Sequence, residues 1–124
     1  MSADGLREVL DGQSEAYTSG DIGKFLAHWS DDATAFPSSA KSPLVGLAKV
    51  SKWIRSNAQV PQYTMSVLKE EIGEDIAYQF CRYRGANRNS AGQRAKFSGY
   101  LTRILRRDQS GSWKIVHAAW KDDE

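Results

Sequence analysis

FSGYLTRILRRDQSGSWKIVHAAWK, residues 97–121, reads as two long strands joined by a turn. Large apolar or aromatic side chains occur at both parities. On the first strand Phe97, Leu101 and Leu105 alternate with Tyr100 and Ile104; on the second Trp113 and Ile115 alternate with Val116 and Trp120. A sheet wetted on one face shows clean apolar–polar alternation. These strands do not, so both of their faces are expected to be covered. Arg103 sits among the apolar residues of the first strand and His117 among those of the second. A charge in such surroundings needs a partner, a cavity or a ligand.

Working back from this hairpin, the chain divides into helices first and strands after. Ser2 or Asp4 can cap a helix whose apolar positions include Leu6, Val9, Leu10, Ala16 and Tyr17. Gly20 ends it, and Asp21 caps a second helix predicted over Ile22 to Trp29, so Ser19-Gly20-Asp21 is a tight corner. Asp31-Asp32 leads into a short strand, Ala33 to Phe36, stopped by Pro37. A polar loop from Ser38 to Pro43 precedes a third helix, Leu47 to Asn57, with Val50, Trp53 and Ile54 inside. Strands follow at Tyr63–Glu71, with Tyr63, Met65, Val67 and Lys69 on one face, and at Ile76–Arg84, before a polar hairpin loop from Gly85 to Gly92. Helices followed by a meander of long antiparallel strands define an α+β class.

The 124 residues suit one domain, residues 1–124, able to bury roughly two thirds of its unfolded surface. No apolar run approaches the ~18 residues of a membrane span. MSADGLREVL has no basic and apolar leader pattern, and a cytoplasmic protein is the expectation. The single cysteine, Cys81, excludes an internal disulfide and reads as a small buried strand residue. Two histidines without a ligand pattern argue against a metal site, and no cofactor is expected. The net charge of +2 hides a segregation: from Ile76 to Arg107 there is no acidic residue, while Arg82, Arg84, Arg88, Arg94, Lys96, Arg103, Arg106 and Arg107 are basic. Nucleic-acid binding through this hairpin is a distant reading. On strands these residues alternate faces, and basic residues also protect sheet edges from pairing.

Three segments together resemble the nuclear-transport-factor-two-like superfamily, which includes SnoaL-like polyketide cyclases and ketosteroid isomerase. They are TSGDIGKFLAHWSDDATAF (18–36), PLVGLAKVSKWI (43–54) and LTRILRRDQSGSWKIVHAAW (101–120). The resemblance implies a single SnoaL-like domain with the cystatin-like cone: a curved antiparallel sheet wrapped around N-terminal helices, a pocket on its concave side, and a homodimer joined through the sheets. The isomerase-type carboxylate base would fall at Phe36-Pro37, where no carboxylate stands. The family's helix tyrosine matches Gln13, with Tyr17 one turn later, and its second acid falls near Arg103. The last hairpin is also similar to the association domain of calcium/calmodulin-dependent kinase II, in Thr102-Arg103, Arg106-Arg107-Asp108, Trp113 and His117. There a pocket arginine favours carboxylates; Arg103 matches it, and a second falls near Phe80, two residues from Arg82.

These readings give a set of candidates. Arg103 can hold a carboxylate or enolate; otherwise it pairs with a buried acid such as Asp32 or snorkels outward. His117 or Asp32 would move a proton, although a strand histidine is more often a hydrogen-bonded packing residue and Asp31-Asp32 a turn. His28 is expected to pack, half exposed. Tyr17, Trp29, Phe36, Trp53, Tyr78, Phe80, Arg82 and Trp120, with Arg103, would line a pocket for a small hydrophobic or anionic organic ligand. The activity expected of such a pocket is isomerisation, cyclisation or dehydration of a carbonyl or carboxylate compound. The alternative is a ligand-binding or dimerisation module without turnover.

Overall fold

The computed structural model describes residues 3–38, 40–56, 62–88 and 94–123. The proposed Ser2 or Asp4 cap and the tip of the hairpin loop lie outside the described residues or side chains. In chain order the elements are α1 (Ala3–Ser19), α2 (Ile22–Leu26), β1 (Trp29–Phe36), β2 (Leu44–Val45), α3 (Leu47–Ser56), β3 (Gln62–Ile72), β4 (Ile76–Arg88), β5 (Arg94–Arg107) and β6 (Trp113–Asp122). The strands form one sheet in the order β2-β1-β6-β5-β4-β3. Every neighbouring pair is antiparallel except β1 and β6, which run parallel. The architecture is α+β, a cone in which the sheet wraps the helices.

The corner at Gly20 forms as its residues dictate. Gly20 takes φ +80°, a conformation that favours glycine. The Asp21 amide donates to Ala16 O at 3.0 Å, and the Asp21 carboxylate accepts from the Lys24 amide at 3.1 Å, capping α2. The second helix is shorter than its periodicity predicts. It ends at Leu26, and Trp29 is the first residue of β1 rather than the last of a helix. The reason is tertiary: the Ile115 amide donates to His28 O at 2.8 Å and Trp29 pairs with Ile115, so the ladder to β6 captures this stretch.

Helices and concave sheet face share one core. Leu6, Val9 and Leu10 of α1 and Val50 and Ile54 of α3 pack with Ala33, Leu105, Trp113 and Ile115 of the sheet. In the antiparallel ladders with β4 and β5, β3 and β6 each carry an extra residue. On β3, Val67 pairs with Cys81 and Lys69 with Phe80, leaving Leu68 over; on β6, Leu105 pairs with Ile115 and Ile104 with His117, leaving Val116 over. Each bulge reverses which parity faces inward. Glu70, not Lys69, therefore joins the concave side of β3. On β6 that side is read by Trp113 and Ile115 before the bulge and by Ala118 and Trp120 after it.

Candidate functional site

The concave face encloses a cavity of about 310 Å³. Cross-strand register arranges its floor in three rows. The innermost is Glu70–Gln79–Arg103–Ala118, the middle Val67–Cys81–Leu101–Trp120, and the outermost Met65–Tyr83–Gly99–Asp122. Arg103, Ala118, Leu101, Trp120, Met65, Tyr83 and Asp122 line the cavity from the sheet. Gln13, Ser14 and Tyr17 of α1, Phe25 of α2, Trp29 of β1 and Trp53 and Ile54 of α3 close it from the other side.

The innermost row is a polar relay. Arg103 is only 6% exposed. Its Nε donates to Gln79 Oε1 at 2.9 Å, and Gln79, wholly buried, donates through Nε2 to Glu70 Oε2. Glu70 thus orients the amide so that its oxygen meets the guanidinium. Among the described residues the terminal nitrogens of Arg103 have no hydrogen-bond partner. Burial pushes the Arg103 pKa down, opposed by Cys81, Tyr63 and Glu70. A desolvated guanidinium with open donors at a cavity wall has the chemistry to hold a carboxylate or a polarised carbonyl.

The outermost row holds a tyrosine–carboxylate pair. Tyr83 reaches across Gly99, its partner in the register, and its hydroxyl donates to Asp122 Oδ1. A Cβ on Gly99 would collide with the Tyr83 hydroxyl and the Lys121 carbonyl, so glycine is what lets the ring cross. Burial, then the Asp122 carboxylate, pushes the Tyr83 phenol up. Tyr63 stacks on Tyr83 with centroids 6.2 Å apart and meets Tyr17 edge-on at 5.2 Å. Burial raises the pKa of both. The mouth is therefore lined by protonated phenols beside one carboxylate. On the helix side, Gln13 accepts from Trp29 Nε1 at 2.9 Å, donates to Phe25 O at 2.6 Å and lies 3.2 Å from His28 Nδ1. Gln13 is thus occupied in joining α1, α2 and β1.

Tyr17, Trp29, Trp53, Trp120 and Arg103 come together at the cavity. The other predicted residues do not. Phe36, Tyr78, Phe80, Arg82 and His117 project from the opposite face, because their register partners Ala119, Ile104, Thr102 and Tyr100 are the residues between the cavity-facing ones. His117 Nδ1 lies 2.7 Å from Thr34 Oγ1, and Phe80 stacks on Tyr100 at 5.6 Å. Arg82 pairs with Asp123 at 2.7 Å and covers the Tyr100 ring. Asp32 is exposed and 3.6 Å from Arg106; a hydrogen bond from Ser30 holds its carboxyl below the usual range. Neither partner proposed to move a proton, His117 or Asp32, therefore reaches the cavity. Nor does Arg103 pair with Asp32. Buried Cys81, its thiol pKa raised by burial, lies 4.0 Å from Gln79 Oε1.

Gln79, Tyr83 and Asp122 were not marked by composition or motif. Gln79 and Tyr83 share the parity that faces Arg103 across the β4–β5 ladder, which is the one signal that points to them. The expected alternation of the basic residues between faces does not hold: Arg82, Arg84, Lys96 and Arg106 share the outer parity of the β4–β5 ladder. Arg103 is inside, Arg82 and Arg106 are ion-paired, and Arg107 lies over Trp113. Among the described residues no group of His, Cys, Asp and Glu could hold a metal ion, and no helix is long and apolar enough to cross a membrane.

Wrapped helices, a mixed six-stranded sheet and a cavity on its concave side define a nuclear-transport-factor-2-like cone. Residues 6–119 match the SnoaL-like domain, and the chain belongs to that family. No curated protein matches the sequence. Among solved structures, a ketosteroid isomerase-like protein from Erwinia carotovora atroseptica superposes with a TM-score of 0.83 at 17% identity, over 95% of this chain and 93% of that one. A Xanthomonas campestris protein assigned as a calcium/calmodulin-dependent protein kinase II association domain gives 0.80 at 12% identity, over 95% and 85%. A nuclear-transport-factor-2-like superfamily protein from Salmonella enterica serovar Typhimurium gives 0.78 at 10% identity, over 96% and 89%. At these identities the likeness is one of fold.

Proposed function

We propose that the cavity binds a small, flat, largely apolar organic molecule through a carboxylate or carbonyl held by Arg103. The observation that carries this reading is the buried guanidinium, oriented through Nε by Gln79 and with its terminal nitrogens unpartnered among the described residues. A cavity of about 310 Å³ walled by Trp29, Trp53, Leu101 and Trp120 suits one or two fused rings.

A catalytic reading is favoured by one further observation, the Tyr83–Asp122 pair on the same wall. Arg103 would stabilise negative charge developing on the oxygen of a conjugated carbonyl, and Asp122, at the other end of the ligand, would take or return a proton there, as isomerisation, cyclisation or dehydration of a conjugated compound requires. Asp122 stands outside the position where the isomerase-type base falls, so the reaction geometry differs from that of ketosteroid isomerase. The opposite face of the sheet, with Phe36, Phe80 and Tyr100 exposed, is the surface proposed to meet a second copy of the chain.

Native mass spectrometry of the purified protein tests the binding reading. Planar carboxylates or ketones are expected to accompany the native chain and to be lost from Arg103→Met. Protein that is empty in both forms, or retains the same molecules in both, would sink it.

A further inference from the structure

The three rows of the cavity floor differ in chemistry in a way that constrains both ends of a ligand. The Arg103 row and the Asp122 row are four residues apart on β4, on β5 and on β6. At ~3.3 Å per residue their backbones are about 13 Å apart. Between them the middle row offers Val67, Cys81, Leu101 and Trp120 in the register, and Trp53 packs edge-on against Trp120 at 5.5 Å. The cavity is thus polar and cationic at one end, apolar in the middle and anionic at the other.

The outer end is also open. Asp122 Oδ1 accepts from Tyr83, while Oδ2 accepts no hydrogen bond among the described residues. The Tyr83 proton is committed to Asp122, which leaves the carboxylate as the acceptor of this row. A second carboxylate placed here would be repelled by Asp122; a hydroxyl or an amine would be held.

We infer that the cavity takes a two-ended ligand: a flat carboxylate or carbonyl compound whose far end carries a hydroxyl or amine that donates to Asp122. The inference rests on the Arg103 reading above and adds the polarity and direction of the ligand. The acid end enters first and lies against Arg103, and the donor end stays at the mouth. The two rows lie about 13 Å apart along the strands, which caps the distance between the ligand's two ends and points to probes of the size of a hydroxylated two-ring or phenylpropenoid acid.

Two matched pairs of probes test it by calorimetric titration: cinnamate with 4-hydroxycinnamate, and 2-naphthoate with 6-hydroxy-2-naphthoate. The native chain is expected to bind each hydroxylated acid about tenfold more tightly than its parent. In Asp122→Asn, which keeps an acceptor for Tyr83 at an exposed strand end, that preference should shrink to about twofold or less. Arg103→Met should abolish binding of all four. Equal affinity for parent and hydroxylated acids in the native chain, or a preference unchanged in Asp122→Asn, overturns the two-ended inference and leaves the Arg103 site standing. Parent acids that bind equally to the native chain and to Arg103→Met overturn the site and the inference with it, as does failure of all four to bind the native chain.

Discussion

Arg103 and Gln79 face each other across β4 and β5, and the guanidinium Nε donates to the amide oxygen at 2.9 Å. Both side chains are buried, and Gln79 is clamped from behind by Glu70. This contact is what holds a cation at a cavity wall in an otherwise apolar core. It also separates two effects that a simple deletion would confuse.

Gln79→Leu leaves the buried guanidinium without its acceptor. The expected cost is about 1.5–3 kcal/mol, the range for a lost hydrogen bond to a charged group. Arg103→Met removes the charge and its desolvation cost but leaves the neutral Gln79 amide oxygen without its donor, so a smaller loss, about 1–2 kcal/mol, is expected. Urea denaturation of the three proteins measures both. A larger loss in Arg103→Met than in Gln79→Leu would contradict the relay.

Gly99 lies between Tyr83 and Asp122 in the register. In Gly99→Ala the new methyl meets the Lys121 carbonyl, which is backbone and cannot step aside. Destabilisation of about 3 kcal/mol or more is expected, at the upper end of overpacking costs. Tyr83→Phe in the same chain should not rescue it, because the backbone clash remains. Melting curves of the single and double variants decide this.

Alkaline titration reports on the mouth. Tyr17, Tyr63 and Tyr83 have folded-state pKa values raised above 10.0, chiefly by burial. A raised pKa means the folded state keeps its proton where the unfolded chain loses it. Stability from these groups is therefore present below pH 10 and falls as pH rises beyond it. Absorbance at the phenolate band should show three of the five tyrosines ionising only with unfolding. Ionisation of all five before the circular dichroism signal changes would be inconsistent with the buried cluster.

His28 acts in the opposite direction. Burial, with Lys114 and Lys24 nearby, lowers its folded pKa below 6.5, and its Nδ1 lies 3.2 Å from the Gln13 amide nitrogen. The unfolded chain then binds the extra proton first, so stability falls as pH drops from 6.5 towards the folded-state value and levels off below it. His28→Gln should flatten this part of the stability–pH curve. An identical slope in both proteins would assign the acid sensitivity elsewhere.

Phe80 and Tyr100 stack on the outer face, 38% and 44% exposed. If a second copy covers them, the native chain sediments as a dimer and Phe80→Lys as a monomer, because a lysine there would face its own image. A native monomer at micromolar concentration would remove the proposal.

Much of this was legible in the chain. The helix–glycine–aspartate corner is local chemistry: Gly20 takes a conformation suited to glycine, and Asp21 supplies the cap. Arg103 stood out because it is a charge flanked by Thr102, Ile104 and Leu105 on a strand whose apolar residues occupy both parities. His117 stood out for the same reason, yet its side chain points away from the cavity. The difference is Val116: the extra residue reverses the inward parity of β6, and nothing in SWKIVHAAW announces it.

The sequence by itself determined the order of elements, the α+β class and the strand that carries the buried cation. These follow from apolar periodicity, caps and turns, all of which act within a few residues. Only the tertiary structure decided which side chains share the cavity. Glu70 enters because Leu68 bulges, Asp122 because Val116 does, and Trp29 because the ladder to β6 draws it out of a helix. The reason is physical: the face a strand residue occupies is set by hydrogen-bond register with strands distant in the chain, and one unpaired residue is enough to reverse it.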